Sequence, residues 1–207
     1  METRRIKWLF FDLGSTLIDE SACDIYRTHQ LAAQEGAPPF GVIIDMLRQS
    51  ARRLLPPYKT VVKTLGLTAA EWPAQLETLY PGVPRLLNML CGRYGLGIIA
   101  NQNPGVEARL ARFGIRQYFK VIASSAEEGF LKPDPGIFIR ALERAGCRAD
   151  EAVMIGDRPD NDIFPAAKLG MTTIWVRQGL YADTDDSLLP QRPDLTIDSI
   201  SDIAKFL

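Results

Sequence analysis

The chain has 207 residues, enough for one large domain or for a core carrying a smaller insert. Its 24 basic and 25 acidic side chains leave a formal net charge of -1, so nothing in the charge balance points to nucleic acid or an anionic membrane as a partner. Hydrophobic residues at 46% fit a protein with a real core, and no apolar run approaches the about 18 residues that would span a bilayer.

The opening Met-Glu-Thr-Arg-Arg-Ile-Lys places basic residues ahead of an apolar stretch, as a signal peptide would. That stretch is too short and ends in an acid, Asp12, so Ile6–Phe11 is predicted as the first strand of a cytoplasmic protein. The cysteines Cys23, Cys91 and Cys147 are odd in number and lack metal-ligand spacing, and they read as reduced packing thiols. From the first strand to Gly82 the sequence reads as several helices without a strand, broken at Ala37-Pro38-Pro39, Pro56-Pro57 and Pro81-Gly82. Residues 18–81 are therefore expected to form a helical insert, a cap over the strand ends, in a core built from residues 1–17 and 82–207.

Beyond Gly82, short runs rich in β-branched residues predict strands at Leu96–Ile99, Val121–Ala123, Ala152–Ile155 and Thr173–Val176. Amphipathic segments alternate with them. Val106–Phe113 follows Asn103-Pro104 and is closed by Gly114; Ile137–Ala145 has Asp134 as N-cap, Pro135 at its first position and Gly146 as C-cap; Ile163–Leu169 is closed by Gly170. Such alternation predicts an α/β fold, a Rossmann-like parallel sheet covered by helices on both faces.

In a parallel sheet the loops after the strands share one edge, where ligand crevices form. Asp12, Asn101 and Asp157 each follow a strand, and Lys132 lies in the loop before the Ile137 helix. Four separate segments thus deliver two carboxylates, an amide and an amine to one rim. Paired acids suit an oxygen-ligated divalent cation beside a phosphate. Asp162, in the loop Gly156-Asp157-Arg158-Pro159-Asp160-Asn161-Asp162, can turn inward as well. Lys132 would offset the charge around Asp12, and loop N–H groups at Leu13–Thr16 could meet an anion.

These segments carry a family resemblance. F-F-D-L-G-S-T-L at Phe10–Leu17, I-I-A-N-Q at Ile98–Gln102, G-F-L-K-P-D-P at Gly129–Pro135 and V-M-I-G-D-R-P-D-N-D-I at Val153–Ile163 resemble, in order and spacing, the four motifs of the haloacid dehalogenase superfamily. The resemblance implies Asp12 as nucleophile and Lys132 as its partner at the phosphate. It implies Mg2+ held by Asp12, Asp157, Asp162 and the Gly14 carbonyl, and phosphate contacts from Gly14, Ser15, Thr16, Asn101 and Lys132. The substrate would be a small phosphorylated metabolite, turned over through an aspartyl-phosphate intermediate.

Two positions depart from the pattern. Phosphatases of the family have a second Asp two residues after the nucleophile, serving as general acid and base, where this chain has Gly14; the second motif's usual Ser or Thr is Ala100. His29, Asp19 and Glu20 are candidate replacements for the missing acid. Lack of that acid also keeps open a carbon–halogen or carbon–phosphorus hydrolase, and a binding or regulatory protein that retains the fold without turnover. Asp160 reads as solvent-facing, and Trp72 and Tyr80 as packing residues of the insert.

Overall fold

Strand β1 (Trp8–Phe11) lies at the middle of a six-stranded sheet in the computed structural model, which describes residues 6–207; the basic approach at residues 1–5 falls outside it. Following β1 come the short strand β2 (Ile18–Asp19), helices α1 (Ser21–Ala32), α2 (Phe40–Arg52) and α3 (Pro57–Leu65), and the short strand β3 (Thr78–Leu79). The chain then alternates: α4 (Val83–Cys91), β4 (Gly95–Ala100), α5 (Val106–Arg112), β5 (Val121–Ser124), α6 (Ser125–Glu128), α7 (Pro135–Ala145), β6 (Ala152–Gly156), α8 (Phe164–Lys168), β7 (Thr172–Val176) and β8 (Leu195–Ile197).

The large sheet is wholly parallel, in the order β5-β4-β1-β6-β7-β8. Its connections run outward from β1 on one side and then restart at β6 on the other. The order therefore reverses beside β1, which is where open α/β sheets form their ligand crevice. Side chains of each strand alternate between two apolar layers, as a period of two requires. Leu9 and Phe11 join Leu86, Leu87 and Leu90 of α4 and Val106 and Leu110 of α5 on one face, while Phe10 meets Ile137, Phe138 and Ala141 of α7 on the other. Both faces are buried, and each large apolar side chain so enclosed contributes about 1.5–3 kcal/mol.

Helix α7 begins as its sequence predicts. The Asp134 carboxylate accepts the Gly136 N–H at 2.7 Å, Pro135 occupies the first turn, and Gly146 ends the helix at φ 62°. Three local expectations need correction. The helix predicted at Ile163–Leu169 is preceded by a wide π-type turn over Pro159–Ile163, which serves the site described below. The edge strand β8 was not expected, since its three residues follow a polar, proline-containing stretch with no apolar run to signal it. The helical segment also contains strands: β2 and β3 pair antiparallel, Ile18 with Leu79 and Asp19 with Thr78, and so close its two ends on each other.

Between those ends, α1–α3 pack around a separate apolar cluster of Leu31, Ile43, Leu47 and Val61. Tyr80, expected to pack in the insert, lies against the main core instead. Among the described residues, no helix is long and apolar enough to cross a membrane.

Trp8 and Phe10 stack with ring centroids 5.6 Å apart, over the two glycines of β4. A Cβ at Gly97 would sit 2.6 Å from the Phe10 ring and 3.2 Å from the Val121 carbonyl. Gly97→Val is therefore expected to overpack this layer and destabilise the fold by about 1–3 kcal/mol. The check is urea unfolding: the midpoint should fall with an unchanged slope. An unchanged midpoint would mean the layer is not close-packed there.

Candidate active site

A buried ammonium organises the rim. Nζ of Lys132 donates to Asp12 Oδ1 and Asp162 Oδ1, both at 2.6 Å, and to the Ile99 carbonyl at 2.9 Å. All three lysine protons thus have acceptors. Burial alone would lower the ammonium's pKa, but the charges of Asp12 and Asp162 hold it above the usual lysine range. Its loop is fixed from β4: the Asn101 amide donates to the Lys132 carbonyl at 3.0 Å and accepts the Lys132 N–H at 2.7 Å. Asn101 therefore engages both ends of its side chain in bracing Lys132 while it also lines the cavity.

Asp12 and Asp157 end the neighbouring strands β1 and β6, where the Asp12 N–H donates to the Ile155 carbonyl at 2.8 Å. Asp162 arrives by the π-type turn. Its N–H donates to the Arg158 carbonyl at 2.8 Å, and its Oδ2 accepts the Arg158 N–H at 3.0 Å, folding the carboxylate back toward β6. Glycine at 156 makes room, for a Cβ there would lie 2.3 Å from Asp162 Oδ2. The Trp175 indole donates to the Asp157 carbonyl at 2.9 Å and pins the loop from below.

Oxygens of Asp12, Asp157 and Asp162 all lie within 4.8 Å of one another. Burial raises the Asp157 pKa well above the usual carboxylate range, and the Asp12 and Asp162 charges push it further. Burial likewise raises Asp162 to about 6, against the pull of Lys132. Three buried acids facing one ammonium leave negative charge uncompensated. This hard-oxygen donor set fits a divalent cation.

Around this floor opens a cavity of about 850 Å³, lined by Asp12, Gly14, Ser15, Asn101, Lys132, Asp157 and Asp162 among others. That volume lies within the range of small-molecule sites. Thr16 is not on its wall: it is fully buried, and its hydroxyl donates to Asp157 Oδ1 at 3.1 Å. The Ser15 N–H is taken by the Ile18 carbonyl at 2.8 Å, so Ser15 offers its side chain rather than its amide. Asp160 is half-buried and pairs with Arg158 at 2.6 Å, whereas the sequence reading had it facing solvent.

The other wall comes from segments with no motif. Asp24 and Arg27 of α1, Tyr58 of α3, Trp72, Glu77 and Arg109 of α5 all face the cavity. Trp72 is thus on the cavity wall, not simply packed. Arg27 lies over the Tyr58 ring at 3.2 Å. Arg109 donates to Glu20 at 2.6 Å, to Glu77 at 2.7 Å and to Gln102 at 2.5 Å, and Glu77 also takes Arg112 and the Trp72 indole. Burial would raise the Glu77 pKa, but these donors hold it below the usual range. A periodic apolar pattern marks the helices that carry these residues, yet nothing in it says which polar faces meet.

Glu20 is the residue the motifs least foretell. A Cβ built on Gly14 would lie 2.5 Å and 2.6 Å from the two Glu20 carboxylate oxygens. Gly14 does not use a left-handed backbone angle, although Ser15 beside it does, at φ 54°. Burial lifts Glu20 to about 7, opposed by Arg109 and assisted by Asp12. The other candidates stand elsewhere: the Asp19 carboxylate accepts the Ser21 N–H at 2.9 Å, and the exposed His29 stacks on Phe40 with centroids 4.3 Å apart.

The sequence profile of the haloacid dehalogenase-like hydrolases matches residues 9–176. A glyceraldehyde 3-phosphate phosphatase of Pyrococcus furiosus is 29% identical over 204 residues, covering 88% of this chain and 85% of the relative. The crystal structure of a haloacid dehalogenase-type phosphatase from Thermococcus onnurineus superposes with a TM-score of 0.67 at 23% identity, over 97% of both chains. A 2-haloacid dehalogenase from Pseudomonas syringae superposes with a TM-score of 0.63 at 25% identity, also over 97% of both.

Replacing Lys132 by Met would strand the acids without their cation, a loss expected to cost about 3–5 kcal/mol at neutral pH in chelator. Asp157 and Asp162 bind protons more tightly folded than unfolded, so acid relieves the repulsion. Without Lys132 these acids hold their protons more tightly still, so the penalty of Lys132→Met should shrink as pH falls from neutral toward about 6. Urea unfolding at pH values on either side tests this; a penalty independent of pH would show that charge is not its cause.

Proposed function

The chain belongs to the haloacid dehalogenase-like hydrolase family, and from that premise we propose that it is a magnesium-dependent phosphatase of small phosphorylated metabolites. The carrying observation is the Asp12 carboxylate on the cavity floor, bonded to Lys132 and within 4.8 Å of two further buried acids. Asp12 attacks phosphorus as the nucleophile, splitting one difficult hydrolysis into two substitutions through an aspartyl phosphate. Lys132 keeps the nucleophile oriented and neutralises charge as the phosphoryl group arrives. Asp157 and Asp162, with Asp12 and the Gly14 carbonyl, would hold magnesium. Bound there, the ion would stabilise negative charge on the transferring group.

Residues 18–81 would then act as a cap, with α1–α3 selecting the substrate from the far wall through Arg27, Tyr58 and Trp72. A small phosphate ester agrees with the named activity of the Pyrococcus relative and with the cavity's size. The named small-molecule activity of that relative supports a cytoplasmic protein with neither nucleic acid nor membrane as partner. Loss of the second motif-one Asp leaves a haloacid or phosphonate hydrolase as the competing reading. The three-acid cluster favours phosphate, because a halide leaves without a metal.

Calorimetric titration with magnesium should show binding that weakens sharply in Asp157→Asn and falls as Asp162 takes its proton near pH 6. Equal affinity in wild type and variant would remove these acids from the metal site. Beryllium fluoride should form an acyl-phosphate mimic on Asp12, visible by fluorine NMR and absent in Asp12→Asn. Phosphate turnover at the wild-type rate in Asp12→Asn would overturn the mechanism, and turnover of haloacids or phosphonates alone would favour the competing reading.

A further inference from the structure

The geometry points to Glu20 as the general acid and base of this site, its carboxyl standing in the volume where the side chain of an acid at position 14 would lie. The inference rests on the phosphatase reading and names the residue that the reading lacks. Gly14 follows the nucleophile by two residues and lines the same cavity as Asp12. The volume of a side chain at 14 is filled: both Glu20 oxygens come within 2.6 Å of the Cβ position. Glycine is thus what allows a carboxylate from six residues downstream to approach. Glu20 lines the same cavity as Asp12 and Lys132, and Arg109 fixes it through one oxygen, Oε1, at 2.6 Å. Nothing in the local structure requires an acid here: Asp19 makes the turn into α1, and Glu20 makes no side-chain cap to that helix.

An Asp12 oxygen bonds to phosphorus while the ester P–O bond breaks, and its electron pair leaves on the alkoxide oxygen. The Glu20 carboxyl gives that oxygen a proton, producing the free alcohol and a Glu20 carboxylate. A water then loses a proton to Glu20 as its oxygen bonds to phosphorus. The bond from Asp12 to phosphorus breaks, its electron pair returning to Asp12. Orthophosphate leaves, and both side chains regain their starting states.

Glu20→Gln keeps the shape and can still accept from Arg109, but it carries no transferable proton. With glyceraldehyde 3-phosphate, whose leaving group needs a proton, single-turnover alcohol release should fall by ~100- to 10,000-fold. With para-nitrophenyl phosphate, whose leaving group departs as an anion, the variant should still give a rapid burst of about one nitrophenol per chain. Its steady state should then be slow, since water activation also needs Glu20. Should Glu20→Gln fold poorly, Glu20→Ala and the double variant Gly14→Asp/Glu20→Ala decide the matter. The double variant returns a carboxylate from position 14 into the cleared volume and should recover turnover lost in Glu20→Ala. Gly14→Asp by itself forces two carboxyl groups together and should lower turnover. Wild-type behaviour of Glu20→Gln on both esters, or equal loss of burst and steady state with no recovery in the double variant, would overturn the assignment. A wild type that hydrolyses neither ester and forms no adduct on Asp12 would instead bring down the phosphatase reading, and this assignment with it.

Discussion

The contact on which the site depends is the three-way bond of the Lys132 ammonium to Asp12, Asp162 and the Ile99 carbonyl. Buried carboxylates repel one another strongly where water cannot screen them, and a buried ion pair is stable only when its remaining hydrogen bonds are met. Lys132 meets that condition by reaching three elements at once. Much of the surrounding geometry follows from it: Asn101 gives its amide to the lysine backbone, Gly156 clears space for Asp162, and the turn over Pro159–Ile163 widens to swing that acid inward. Even so, three buried acids face a single ammonium, and a cation bound among them would relieve the repulsion that raises Asp157 and Asp162.

The sheet explains why such distant residues meet. Strand order reverses beside β1, so Asp12 and Asp157 end adjacent strands with nothing between them, while the loops that carry Asn101 and Lys132 rise on the β4 side. The apolar layers on both faces pack against the strands that form that edge. A site that must place charges within tenths of an ångström gains from being built on packed strand ends rather than on free loops.

Opposite this floor stands a wall of different origin. Arg109 of α5 binds Glu20, Glu77 and Gln102 together, so one guanidinium ties both stems of the helical segment to the core. Glu77 is buried and takes Arg109, Arg112 and Trp72, which makes it the fixed end of that tie. The Glu20 carboxylate is consequently held in place at the cavity rather than solvated. Its position follows jointly from the missing side chain at Gly14 and from the Arg109 network.

The sequence alone determined the parallel α/β architecture, because buried strands need apolar runs and helices need caps, and both are local signals. It also brought Asp12, Asn101, Lys132 and Asp157 to one rim, since each follows or precedes an element whose end must lie on a shared edge, and the structure gathers Asp12, Lys132 and Asp157 there with Asp162. What it could not supply was the use to which each polar group is put. Thr16 and Asn101 are spent on Asp157 and on the Lys132 backbone, and Trp72 faces the cavity, through contacts between residues up to 141 positions apart in the chain. The short strands β2, β3 and β8 likewise arise from pairing partners rather than from their own two or three residues. Three residues, His29, Asp19 and Glu20, stood level as substitutes for the acid absent at Gly14. Only the tertiary structure separated them, because vacancy at one backbone position and a guanidinium from α5 together decide where a flexible carboxylate comes to rest.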